Sequence, residues 1–174
     1  MKQSYLLLLF AFLAFTSCNT EKKVDPITEK TKLQAFTDTV NLDTFKLTLT
    51  GKKSSDMVLN FTITNFKGSQ IYHKQIKTAE LLKSYLASED LKKENDKIKF
   101  INEQINVFFE EEHFLEPAIT EDQELDNNTP DKAFYDELKQ TKLNGFYYSL
   151  GKDKSIYIAW STKNNQVKIY YKCC

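Results

Sequence analysis

Arginine is absent from this chain of 174 residues, and glycine is scarce, with only four residues. The 24 basic residues are therefore all lysine, and 24 acidic residues balance them. Without a guanidinium group, the protein cannot hold a phosphate or carboxylate in the bidentate manner of arginine. So few glycines leave no glycine-rich loop to cradle a phosphate. The balanced charge gives no overall attraction to nucleic acid, and none is predicted as a partner.

Residues that carry catalysis or bind metals are also few. The two histidines, His73 and His113, lie in no pattern typical of a metal site, and no serine has the G-x-S-x-G spacing of a hydrolase nucleophile. Acidic residues at every second position from Asp122 resemble a calcium loop, but its sixth position is Asn127, where such loops need glycine. We therefore predict no catalytic residue, no metal site and no cofactor, and a hydrolase is the least favoured function.

The first eighteen residues have the pattern of an export signal. Lys2 precedes an apolar run over residues 6–15, which is too short for a membrane-spanning helix of about 20 residues. The sequence F-T-S-C at residues 15–18 resembles the lipobox of bacterial lipoproteins, and the composition is similar to that of Bacteroidetes proteins. The resemblance implies a signal peptide over 1–17, acylation of Cys18, and a location in the cell envelope, anchored to a membrane on its periplasmic or cell-surface face. An ordinary secretory signal, cut elsewhere, is the alternative.

The rest of the chain divides into two parts. Residues 18–42 are polar, contain Pro26 and show little periodicity, so they are predicted to form a flexible, lipid-anchored tether. Residues 43–174 are predicted to form a single domain, since a hydrophobic content of 41% is enough to build a core. The role of Cys173 and Cys174 at the end of the chain stays open.

The pattern of the domain is three strands, two or three helices and three further strands. Apolar and polar residues alternate in six short segments, which is typical of half-buried strands. These segments are residues 45–50, 57–64, 70–76, 146–150, 155–161 and 166–172. Apolar residues at helical spacing predict helices over 79–87 and 89–112, and Thr-Pro-Asp at 129–131 predicts the start of a third. This order predicts an α+β fold, with a mostly antiparallel sheet of two three-stranded meanders and helices packed on one face.

The last three predicted strands have two different faces. One face, which includes Trp160 and Tyr171, is expected to pack on the core, whereas the other carries tyrosines and lysines. The residues predicted to bind a partner on this second face are Tyr147, Tyr157, Tyr170, Lys168 and Lys172. Aromatic rings with a polar tip suit sugar faces and protein partners. The alternative is that the rings only stabilise an exposed sheet or lie under a loop.

Charge is unevenly spread along the domain. Nine acidic residues and no lysine lie within Glu110–Asp131, whereas seven lysines and one acid lie within Lys139–Lys172. Whether the acidic segment binds a cation is left open. The leading hypothesis is a membrane-anchored, non-catalytic binding or interaction module for an envelope protein or glycan. The alternative is an inhibitor or immunity-type lipoprotein, in which the acidic segment attracts a basic enzyme.

Overall fold

The computed structural model describes residues 23–173. The predicted signal peptide, Cys18 and Cys174 lie outside the described residues. Cys173 is disulfide-bonded. The strands are β1 (Glu29–Ala35), β2 (Leu42–Thr50), β3 (Val58–Thr64), β4 (Gln70–Lys77), β5 (Phe114–Leu115), β6 (Gly145–Ser149), β7 (Ser155–Ser161) and β8 (Gln166–Cys173). The helices are α1 (Thr78–Tyr85), α2 (Glu94–Val107) and α3 (Lys132–Thr141), and a short 3₁₀ turn covers Glu111–His113.

The strands form two antiparallel sheets, each with its strands in chain order. The first sheet is β1-β2-β3-β4 and the second is β5-β6-β7-β8. The predicted α+β class is confirmed. The expected single sheet of two three-stranded meanders is replaced by two sheets, each of which has one strand more than predicted.

Strand β1 lies inside the segment predicted to be a flexible tether, so that prediction is wrong for residues 29–35. β1 pairs with β2 along its whole length, from Glu29 opposite Thr48 to Ala35 opposite Leu42. Leu33, the one large apolar residue of this strand, is 54% exposed, whereas Lys30, Lys32 and Gln34 are half-buried. Because apolar and polar residues do not alternate here in the usual way, no pattern in the sequence predicts this edge strand.

The residues just before β1 are also packed. Val24 and Ile27 contact the core, and the Ile27 N–H donates to Asn102 Oδ1 of α2 at 2.7 Å. Asn102 in turn donates through Nδ2 to the carbonyl oxygen of Asp25 at 2.9 Å. The folded domain therefore includes Val24, Ile27 and β1, which lie before its predicted start at residue 43.

An aromatic core lies between the two sheets. Phe45 of β2 and Phe146 of β6 have ring centroids 5.2 Å apart, and Phe61 of β3 and Tyr148 of β6 lie 5.5 Å apart. These rings come from alternate, inward-facing positions of their strands, where edge-to-face aromatic pairs add about 0.5–1.5 kcal/mol beyond burial.

The helices were expected to pack on one face, but they pack on two. Helices α1 and α2 add Leu81, Ile101 and other apolar residues to the core between the sheets. Helix α3 instead packs Phe134 and Leu138 against Ala159 on the opposite face of the second sheet. This second face is the one that carries the predicted tyrosines, and α3 covers part of it.

Candidate functional site

A β-bulge in the last strand decides which side chains share the tyrosine-bearing face. Tyr157 lies opposite Tyr171, whereas the next residue, Ile158, lies opposite Ile169. Tyr170 is therefore an extra residue in β8, and two residues of β8 face one position of β7. The simple alternation assumed from the sequence breaks at this point.

The bulge corrects two predictions. Tyr171, which was expected in the core, pairs with Tyr157 on the outer face of the sheet. Lys172, which was predicted to lie among the tyrosines, is opposite Ile156 and therefore lies on the inner side of the sheet. A bulge shifts every later side chain of its strand to the other face.

The three predicted tyrosines are in contact with one another. The ring centroids of Tyr147 and Tyr157 are 5.0 Å apart in a stacked arrangement, and Tyr170 meets Tyr157 edge-on at 6.0 Å. Tyr171 adds a fourth ring, 5.3 Å from Tyr157. Tyr157 is thus the centre of an aromatic cluster.

Tyr170 is buried, with 4% of its surface exposed, so its predicted place on an open face is corrected. Its hydroxyl donates to the carbonyl oxygen of Ala118 at 3.1 Å. Gly145 makes room for this contact, since a Cβ there would come within 2.8 Å of the Tyr170 hydroxyl and 2.9 Å of the Ala118 Cβ. The segment around Ala118 and helix α3 cover Tyr170, which becomes part of the floor of a cleft.

The cleft has a volume of about 310 Å³ and lies between the tyrosine cluster, α3 and the acidic segment. We call it the tyrosine cleft. Its lining residues are Leu115, Ala118, Ile119, Gln123, Glu124, Asp126, Tyr135, Tyr157, Tyr170 and Tyr171. The apolar and aromatic residues form its floor and walls, whereas Gln123, Glu124 and Asp126 are exposed and form a polar rim.

The acidic rim is tied directly to β8. The Tyr171 hydroxyl donates to Asp126 Oδ2 at 2.9 Å, and Asn128 Nδ2 donates to the Tyr171 hydroxyl at 3.3 Å. The Lys172 N–H donates to the carbonyl oxygen of Asn128 at 3.1 Å. These contacts join residues more than forty positions apart in the chain and fix the rim over the tyrosines.

A lysine of α3 holds the other side of the rim. Lys139 Nζ donates to the carbonyl oxygens of Glu121 and Gln123. The same ammonium group lies over the ring of Tyr135, 5.6 Å from its centroid. Lys139 is therefore engaged in holding the rim and is not among the residues that line the cleft.

The cleft combines neutral hydroxyls with ionised carboxylates. The pKa of Asp126 is lowered, because hydrogen bonds from Tyr171 and Asn128 outweigh the opposing effect of desolvation. The pKa of Tyr135 is raised by burial, and then by the nearby charges of Asp126, Asp136 and Glu124. Burial likewise raises the pKa of Tyr157. At neutral pH the hydroxyls of Tyr135 and Tyr157 are therefore uncharged, and Asp126 is ionised.

Lys168, the other lysine predicted as a binding residue, lies beside the start of α3. Its ammonium group pairs with Asp131 and lies 4.9 Å from the centroid of Phe134. Asp131 caps the helix, since its carboxylate accepts a hydrogen bond from the Phe134 N–H at 3.0 Å. Lys168 therefore supports α3 and does not line the tyrosine cleft.

Several carboxylates of the acidic segment already have lysine partners. Glu121 pairs with Lys142 at 2.8 Å, Glu111 pairs with Lys32 of β1, and Asp131 pairs with Lys168. These contacts place carboxylates of the acidic segment beside lysines of the same domain. Within the described part of the chain, no group of three or more His, Cys, Asp or Glu side chains could hold a metal ion.

His113 has a structural role beside the tyrosine cluster. Its ring packs against Tyr147 with centroids 4.6 Å apart, and Nδ1 is 2.9 Å from the carbonyl oxygen of Phe108. The cavity that His113 borders has a volume of about 110 Å³ and no acidic residue in its lining. The carboxylate beside His113 is Glu112, whose Oε1 lies 4.0 Å from Nε2 of the ring.

Over residues 23–173, no helix has both the length and the apolar character needed to cross a bilayer. Comparison with protein-family models, with curated proteins and with solved structures finds no significant match to this chain.

Proposed function

We propose that this protein is a non-catalytic binding module of the cell envelope, held at a membrane by a lipid on Cys18, and that it takes a glycan in the tyrosine cleft. The observation that carries the proposal is the cleft itself, where four tyrosines meet an acidic rim. Its volume of about 310 Å³ is at the lower end of the range for small-molecule sites.

The chemistry of the cleft suits a sugar that is not acidic. The half-buried rings of Tyr157 and Tyr171 offer an apolar surface with a polar tip, which fits the mixed apolar and polar character of a sugar ring. Gln123, Glu124 and Asp126 present amide and carboxylate oxygens that accept hydrogen bonds from sugar hydroxyls. The negative rim disfavours acidic sugars, because a second anion would be repelled.

The test is glycan binding by the mature, acylated protein in neutral detergent, measured on an array of neutral, amino and acidic oligosaccharides. We expect neutral or amino sugars to bind, and Tyr171→Ala to weaken the binding by about tenfold or more, since truncating a central aromatic residue costs about 2 kcal/mol or more. Phe66→Ala is the matched control, because Phe66 is 45% exposed and is not among the residues that line the cleft.

Two outcomes would contradict the glycan proposal. One is the absence of any glycan binding by the wild-type protein. The other is glycan binding that Tyr171→Ala and Phe66→Ala weaken equally, which would place the site elsewhere.

The inhibitor alternative predicts a different pattern. It requires a basic protein partner whose affinity falls with salt. Such binding would survive Tyr171→Ala and would be lost when Glu124 and Asp126 are changed to Gln and Asn. The lysine partners of Glu121 and Asp131 reduce the charge available to attract an enzyme, so the glycan proposal is preferred.

A further inference from the structure

A second cavity lies at the seam between the two sheets, where β4 and β8 come together. We call it the lysine cavity, and its volume is about 240 Å³. Its lining residues are Tyr72, Lys74, Tyr148, Leu150, Lys154, Ile156, Ile169 and Lys172. Three of these are lysines and none is acidic, whereas the tyrosine cleft has two acids and no lysine in its lining.

Each lysine reaches the cavity for a reason that the fold makes clear. Lys74 follows Tyr72 by two positions on β4, so both side chains point to the same side of the strand, and both are half-buried. Lys154 lies at the turn before β7, where its carbonyl oxygen accepts a hydrogen bond from the Leu150 N–H at 2.8 Å. Lys172 faces this side because of the bulge at Tyr170.

Within the described residues 23–173, the three lysines of this cavity have no salt bridge, since no carboxylate there pairs with Lys74, Lys154 or Lys172. The acid next in sequence, Asp153, instead acts on Tyr85 of α1, whose pKa is raised first by burial and then by the Asp153 charge. Three like charges around one cavity repel each other, and a bound anion would relieve that repulsion.

Two tyrosine hydroxyls complete the lining. Tyr72 and Tyr148 are joined by a hydrogen bond of 2.6 Å between their hydroxyl oxygens. This bond uses one of their two O–H protons, so the other hydroxyl can donate to a ligand. Burial raises the pKa of both tyrosines, so the pair stays neutral and retains both protons.

We propose that the lysine cavity binds a phosphate-type oxyanion, held by the ammonium groups of Lys74, Lys154 and Lys172 and by one hydroxyl of the Tyr72–Tyr148 pair. Ammonium groups bind phosphate as point charges without needing the fork of arginine, which this chain lacks. The phosphate could be free in solution or belong to a lipid headgroup, since both offer the same oxygens. The site is separate from the tyrosine cleft and does not depend on the glycan proposal.

The test is the melting temperature of the full mature chain in neutral detergent, titrated with inorganic phosphate against sodium chloride at equal ionic strength. We expect phosphate to raise the melting temperature beyond the effect of chloride, because a ligand that binds the folded state stabilises it. The triple variant Lys74→Gln/Lys154→Gln/Lys172→Gln should lose this rise. A control with three exposed lysines changed to glutamine, at Lys52, Lys83 and Lys163, should keep it.

Two further measurements separate folding effects from binding and distinguish the two sources. Tyr72→Phe, which removes one hydroxyl and leaves the ring, should weaken phosphate binding by roughly tenfold, as expected for a lost hydrogen bond to a charged group. Vesicle binding is measured on the chain with Cys18→Ser, because acyl chains would hold the protein to any bilayer. Binding to phosphatidylglycerol vesicles over phosphatidylcholine vesicles, lost when the three lysines are also changed, would identify a lipid headgroup, and a response to inorganic phosphate alone would identify a free ligand. No phosphate effect beyond that of chloride, or an equal effect in the triple variant, would overturn the proposal.

Discussion

The side chain of Glu137 in α3 is a carboxylate that the domain holds in its interior. It is only 3% exposed, and its carboxylate accepts hydrogen bonds from the hydroxyls of Ser161 and Thr162 and from the Lys163 N–H, at 3.0–3.1 Å. These donors lie at the turn from β7 to β8. The carboxylate therefore fixes α3 to the hairpin that carries the tyrosine cluster.

We predict that Glu137→Ala lowers the free energy of unfolding by about 1–3 kcal/mol, because the buried Ser161 hydroxyl and two further donors, on Thr162 and Lys163, lose their acceptor. Chemical denaturation measures this change. The neighbouring Asp136 is exposed, and Asp136→Ala should alter the free energy of unfolding by no more than about 0.5 kcal/mol. Equal effects of the two substitutions would show that the hydrogen bonds of Glu137 are not important for stability.

The contribution of Glu137 should depend on pH. Burial acts to raise its pKa, but the hydrogen bonds from Lys163, Ser161 and Thr162 outweigh burial, so the pKa in the folded protein is lowered. A carboxyl group with a lowered folded pKa stabilises the protein above its unfolded pKa of about 4.3, and this stabilisation is lost as the pH falls through the folded pKa. The stability difference between wild type and Glu137→Gln should therefore be constant near pH 7 and shrink below about pH 4.

The alternation of apolar and polar residues along the sequence predicted those strands whose inner faces are apolar. In β2 and β3, Phe45, Leu47, Phe61 and Ile63 are fully buried at every second position, as the pattern required. Strand β1 was missed because its inward positions are polar and are satisfied by distant groups. Lys30 and Gln34, for example, donate to the carbonyl oxygen of Asn106 and to Glu116.

The site was only partly predictable for a similar reason. The alternation of side chains between the two faces correctly placed Tyr147 and Tyr157 side by side, because the pairing of β6 with β7 is regular and contains no bulge. It failed at Tyr171 and Lys172, since nothing in the sequence around Tyr170 signals an extra residue. The meeting of the tyrosines with Asp126 joins distant parts of the chain, and no local pattern reveals such a contact.

Strand β1 can be tested directly by hydrogen exchange on the mature chain. We predict that amides of residues 29–35 that donate to β2 exchange well below the rate of an unfolded chain, because β1 pairs with β2 over seven residues. As an edge strand it should be protected at about every second amide. Exchange at the unfolded rate throughout this segment would instead support a flexible tether.

The packing of Val24, before β1, limits how far the domain can lie from the proposed lipid on Cys18. Val24 already packs against the core, so only the five residues 19–23 lie between the proposed anchor on Cys18 and this packed residue. A fully extended chain spans at most about 3.3–3.6 Å per residue, so this link reaches about 20 Å. Val24 would then lie within that distance of the membrane surface.

This arrangement depends on the proposed lipid anchor. Acyl chains contribute about 0.8 kcal/mol per buried methylene, and two or more chains anchor a protein stably where one does not. We therefore predict that Cys18→Ser moves the protein out of the membrane fraction and removes the mass of the acyl groups, as measured by fractionation after an alkaline wash and by intact-mass spectrometry. Ser17→Ala, which keeps a small residue before the cysteine, should remain acylated and in the membrane. A Cys18→Ser protein that stays with the membrane would mean that other contacts hold it there, and a wild-type protein without acyl mass would favour the ordinary secretory signal.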